Sequence, residues 1–79
     1  MLMSLPCTTK ILENYQPTLE EAQREVGGLV EMIRVEGGQL LINEEGRLNG
    51  LPHNPTASEI AGQNIVGNAL FLKGSAKWP

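Results

Sequence analysis

A chain of 79 residues, 41% of them apolar and with a net charge of −3, is sized and composed for one small folded domain, not for a disordered or low-complexity segment. Its six lysines and arginines stand singly beside nine glutamates, without the clustered positive charge that neutralises phosphates, which argues against a nucleic-acid partner. The apolar opening MLMSLPC lacks a basic leader and is too short for a signal peptide or a membrane span, while a single cysteine, Cys7, fits a reducing compartment.

Residues 8–14, TTKILEN, carry β-formers in weak alternation and predict a first strand. In the stretch that follows, Thr18 and Glu21 have capping-box spacing, so that each side chain can satisfy a free backbone N–H at a helix start. Glu20 and Glu21 suit the positive end of the helix dipole, Leu19, Ala22 and Val26 share a face, and Gly27 supplies a left-handed end. A helix of about two turns is expected. Residues 29–36 and 39–43, LVEMIRVE and QLLIN, flank Gly37 and Gly38 and predict an antiparallel hairpin turned by the two glycines.

The stretch NEEGRLNG, residues 43–50, reads as a hairpin loop with Gly46 left-handed, a short returning strand, and a second reversal at Asn49 and Gly50. A second short helix follows, capped by Asn54, with Pro55 in its first turn, Ala57, Ile60 and Ala61 on one face, and Gly62 at its end. Thr56 and Glu59 offer an alternative capping box. Residues 64–74 predict a last apolar strand in which Gly67 marks a bulge or a close backbone approach, and the tail 75–79 carries no structural signal.

These elements predict an α+β domain spanning residues 1–79, with an ordered core over about 8–74. The expected architecture has two layers: one antiparallel or mixed sheet of four to five strands, with two short helices on one face. The nearest common scheme is the ferredoxin-like β-α-β-β-α-β order. Alternation in LVEMIRV and IVGNALFL puts apolar side chains on both faces of that sheet, so a second copy is expected to cover the outer one. A chain this short buries only roughly 60–65% of its unfolded surface, which points the same way.

Glu44, Glu45 and His53 invite a catalytic or metal reading. Adjacent glutamates in extended chain point to opposite sides, and a metal needs three or four converging ligands, so the stretch is read as turns with no catalytic or metal role. Glu31 is of more interest, because alternation places its carboxylate among Leu29, Ile33 and Val35. There it requires a hydrogen bond, a partner such as Arg47 or Lys10, or a place at the sheet margin. Neither VGG nor VEGG has the pattern of a phosphate loop, and Cys7 has no base near it in sequence. Phe71 is expected in the core, while Trp78 either folds back over the sheet or enters a partner's pocket. Glu31, Arg47 and Trp78 are therefore the candidate ligand or partner residues, with no cofactor implied.

The motifs VGGLVE, NEEG, LPHN and IVG, set within residues 17–74, resemble those of a family of small uncharacterised proteins from tailed phages, notably cyanophages, and from bacterial mobile elements. The family is a domain of unknown function, and its motifs are those of turns and strands. This chain has only residues 62–64 where relatives carry a longer segment before the last strand. The resemblance implies a viral protein working in a bacterial host's cytoplasm. The resulting expectation is a non-enzymatic accessory protein that binds a host or viral protein, as a homo-oligomer and away from nucleic acid and membrane. The alternative is a binder of a small ligand such as a nucleotide or signalling molecule.

Overall fold

A computed structural model describes residues 7–79; most of the apolar opening stretch, residues 1–6, lies outside the described residues. Strand β1 (Thr9–Leu12) is followed by helix α1 (Leu19–Val26), the β2–β3 hairpin (Val30–Val35 and Gly38–Asn43), helix α2 (Pro55–Ala61), strand β4 (Ala69–Leu72) and a 3-10 turn at Gly74–Ala76. No helix among the described residues is long and apolar enough to cross a membrane.

Both helices begin and end where the local chemistry requires. The Thr18 hydroxyl accepts the Glu21 N–H at 3.1 Å, and the Glu21 carboxylate accepts the Thr18 N–H at 2.9 Å, completing the capping box. Gly27, at φ 81°, closes α1 by donating to the Gln23 carbonyl. The Asn54 side chain caps α2 through the Ala57 N–H, and Gly62, at φ 69°, ends it. Asn54 is itself buried, and its amide also donates to the Gly67 carbonyl at 2.8 Å, so one side chain ties α2 to the approach of β4.

The hairpin forms as expected, but its two glycines divide the work. Val35 pairs with Gly38, so Glu36 and Gly37 make the turn and only Gly37 is left-handed, at φ 89°. Gly38 lies in the ladder, where a Cβ would press into the Leu72 carbonyl of β4. Downstream, residues 44–50 are turns and contain no strand, which corrects the short returning strand expected there. Gly50, not Gly46, takes positive φ. Gly46 is buried for another reason: a Cβ on it would come within 2.9 Å of Val66 Cγ2. The last strand is also shorter than expected. Val66 makes an isolated bridge to His53, and Gly67, at φ 83° and close against Leu51, breaks the run before Ala69.

The sheet is mixed and four-stranded in the order β1-β4-β3-β2, with β1 parallel to β4 and the other pairs antiparallel. The β-α-β-β-α-β sequence of elements is the expected one. The spatial order is not that of a ferredoxin-like sheet: α2 joins antiparallel neighbours, and β1 takes the outer edge.

The helices lie on opposite faces, which corrects the expectation that both cover one. Leu40, Ile42, Ala69 and Phe71 pack under α2 with Ala57 and Ile65, whereas Leu41, Leu70 and Leu72 pack with Ala22 of α1 and Ala76 of the tail. Two covered faces explain why β3 and β4 read as continuous apolar runs. They also account, within one chain, for the two-sided apolar alternation from which a second copy was inferred.

Candidate functional site

The β2–β3 ladder sets Glu31 opposite Ile42, and it continues one step beyond the strands where the Glu44 N–H donates to the Leu29 carbonyl at 2.8 Å. Glu44 is two residues along from the ladder partner of Glu31, so the carboxylates stand diagonally, a spacing of about 7–8 Å between Cα atoms. At that point Asn43 turns the chain: its side-chain oxygen accepts the Glu45 N–H at 2.8 Å, and its amide donates to the Val26 carbonyl at 3.1 Å. The turn brings Gly46 against Val66 and directs Arg47 to the segment after α2, where Nη2 donates to the Asn64 carbonyl at 2.9 Å. His53 Nδ1 contacts the Asn64 side-chain oxygen at 2.7 Å from the other side.

These contacts border an open groove of about 540 Å³, whose polar lining comes from Glu31, Asn43, Glu44, Arg47, Gln63 and Asn64. Its floor includes Ile33, Ile42 and Ile65. Two of the three candidate residues, Glu31 and Arg47, thus line one cavity although sixteen positions separate them in the chain. Glu31 is exposed on an edge strand, the sheet margin being one of the places a carboxylate on this face could take. Lys10, a suggested partner, instead pairs with Glu25 at 2.8 Å, and Glu31 makes no ion pair among the described residues.

Trp78 lies elsewhere, on the α1 face, with its indole N–H donating to the Pro17 carbonyl at 2.8 Å. It folds back over the sheet, one of the two arrangements expected of it. Gln39 holds its main chain and was not singled out in the sequence, although a lone amide opening the apolar run QLLI is a usable signal. Glu44 and Glu45 are exposed at a turn, as expected. The Cys7 thiol donates to the Pro52 carbonyl at 3.3 Å, not to a base. Among the described residues no group of three His, Cys, Asp or Glu side chains is placed to hold a metal ion.

Two titrations are shifted, those of one hydrogen-bonded pair away from the groove. The Tyr15 hydroxyl, at 2.6 and 2.8 Å from the two oxygens of Glu21, and then the Thr18 N–H, hold the Glu21 carboxyl below its ordinary range. The same bond pushes the Tyr15 hydroxyl above its own. This belongs to the start of α1 and stabilises the ionised cap.

In chemical terms the groove offers two acceptor-only carboxylates, one guanidinium with a single N–H engaged, and side-chain amides. Such groups can ion-pair and hydrogen-bond with a polar molecule, and among the lining residues no nucleophile is paired with a base. No curated protein and no solved structure matches the chain. A family model described as a domain of unknown function (DUF3846) matches residues 4–77, and the protein belongs to that family.

Proposed function

We propose that the protein acts by binding, without catalysis, and that the Glu31–Arg47 groove takes a small polar ligand bearing a cationic group. The observation that carries this reading is the pair of carboxylates, Glu31 and Glu44, in a concave site with one guanidinium. A volume of about 540 Å³ falls in the range of small-molecule sites, roughly 300–1,000 Å³. The charge balance sets the sign of the ligand: an amine or guanidinium meets the carboxylates, and Arg47 is free to take a carboxylate or carbonyl at its other end. A nucleotide fits less well, because its phosphates would meet two negative charges against one positive.

A second reading, an interaction module that engages a host or viral protein or a second copy, draws on the outer edge of β2, which pairs with no further strand among the described residues. An open edge strand accepts an added strand, and Leu29 beside it is more than half exposed. Origin in a phage or mobile element, and action in the cytoplasm of the bacterial host, are further parts of the proposal that rest on the turn and strand motifs.

Calorimetric titration with spermidine and argininamide, with ATP as the anionic control, tests the ligand reading. Saturable heats with the cations, weakened at least tenfold by Glu31→Gln, are expected. Binding of ATP in preference to the cations, or equal affinity in the Glu31→Gln variant, would overturn it.

A further inference from the structure

On the face opposite the groove, the tail after β4 is held mainly by bonds to its main chain. Gln39, only 3% exposed, donates its amide to the Trp78 carbonyl at 2.7 Å and accepts the Trp78 N–H at 2.7 Å. A neighbouring β-strand would offer a residue the same two bonds. The Gln16 amide donates to the Lys77 carbonyl at 3.0 Å, and the Trp78 indole N–H reaches the Pro17 carbonyl at 2.8 Å. Ala76 is fully buried, and the half-buried indole packs with it on Leu41, Leu70 and Leu72. The tail turns off the sheet at Gly74, φ 55°.

We propose that this cleft is a peptide-binding site for an extended segment carrying a tryptophan, and that the chain's own tail is its resident occupant. Three observations carry the proposal. Gln16 and Gln39 read the tail's main chain, the indole and the Ser75 hydroxyl, which donates to the Glu13 carbonyl at 3.1 Å, add one side-chain bond each, and Ala76 needs only a small residue. The Lys77 and Pro79 side chains are exposed, so two of the last five positions are left unread. The Gln39 amide is buried and both its bonds serve a single tail residue, so a departing tail uncovers a donor and an acceptor set for the backbone of one residue, open to water or to another extended segment. No bond in the set depends on the covalent link to β4, so a separate segment of the same chemistry makes them equally well. Tethering gives the resident tail an effective concentration on the order of millimolar, which a competitor has to exceed or outbind. The cleft lies on the other face from the groove, and the proposal stands independently of the ligand reading.

Trp78 is the chain's single tryptophan, which makes the test direct. In the Trp78→Ala variant, a peptide with the sequence of residues 74–79 is the only indole in solution. Its emission is expected to shift to the blue saturably, at half-saturation at least tenfold lower than with the unmodified protein, whose tail competes. Adding Gln39→Ala is expected to abolish the shift. No saturable shift with a Trp78→Ala variant that retains its native circular dichroism would overturn the proposal, as would equal binding to variant and unmodified protein. If Trp78→Ala does not fold, hydrogen exchange on the unmodified chain decides. Exchange of the Trp78 indole N–H at least tenfold faster than the Leu40 and Leu41 amides supports a strap that opens by itself, and exchange at the same rate refutes it.

Discussion

Replacing Gly38 by alanine tests the strand register that positions everything else. Gly38 faces Val35 in the β2–β3 ladder, and the next residue, Gln39, pairs with Leu72 of β4. A Cβ at Gly38 would press into the Leu72 carbonyl and stand 3.3 Å from Phe71 Cε1. The carbonyl belongs to backbone in a paired strand, so relief requires β3 and β4 to separate at that end. Overpacking of this kind costs about 1–3 kcal/mol, and losing a terminal ladder hydrogen bond adds about 0.5–1.5 kcal/mol. The expected destabilisation is therefore about 2–4 kcal/mol, out of a total of roughly 4–12 kcal/mol for a chain of this size. Gly27→Ala is the control: a Cβ there meets nothing, so only the positive φ of 81° counts, for about 1 kcal/mol. Urea unfolding followed by circular dichroism measures both, with the same slope expected for each variant. Equal costs, or a neutral Gly38→Ala, would mean that β4 does not approach β3 in the register Gln39 to Leu72.

The Glu44→Ala, Glu45→Ala double variant is expected to change stability by less than about 0.5 kcal/mol in the same assay, since both residues are exposed in a turn. Gly46→Val should cost more than about 1 kcal/mol through collision with Val66; Val66→Ala in the same chain should recover part of it, whereas a backbone cause would leave the two additive. Tyr15→Phe should raise the Glu21 carboxyl toward its ordinary range in an NMR titration, because the tyrosine bond is the largest cause of its lowering. A carboxyl held low in the folded state stabilises above the ordinary carboxylate range and loses that contribution as pH falls through the folded value, so the variant should be less sensitive to acid over that window.

The parts of this fold that were legible in the sequence are those set by a few neighbouring residues. Thr18 with Glu21, Asn54 with Pro55, and Gly27 and Gly62 fix both helices by hydrogen bonds within one turn. The hairpin also followed from adjacent runs. The glycines show where local reasoning stops: Gly46 and Gly38 are glycines because Val66 and Leu72, distant in sequence, approach them, and nothing in NEEG or VEGG states that. The two-sided alternation of β4 was visible, but a second copy and a second helix layer satisfy it equally, and only the chain path distinguishes them. Glu31 stood out as a carboxylate on an apolar face. Its place in one groove with Arg47 depends on Asn43 turning the chain and on Asn64 receiving the guanidinium, contacts that spacing alone does not encode.

The groove is the central claim, and an ¹⁵N-resolved NMR titration of the folded protein with spermidine tests it most directly. Saturable amide shifts are expected at Glu31, Glu44, Gly46, Arg47 and residues 63–66, the groove lining, and they should collapse in the Glu31→Gln variant. Shifts centred on α1 or the tail, or a groove pattern unchanged by Glu31→Gln, would contradict the account.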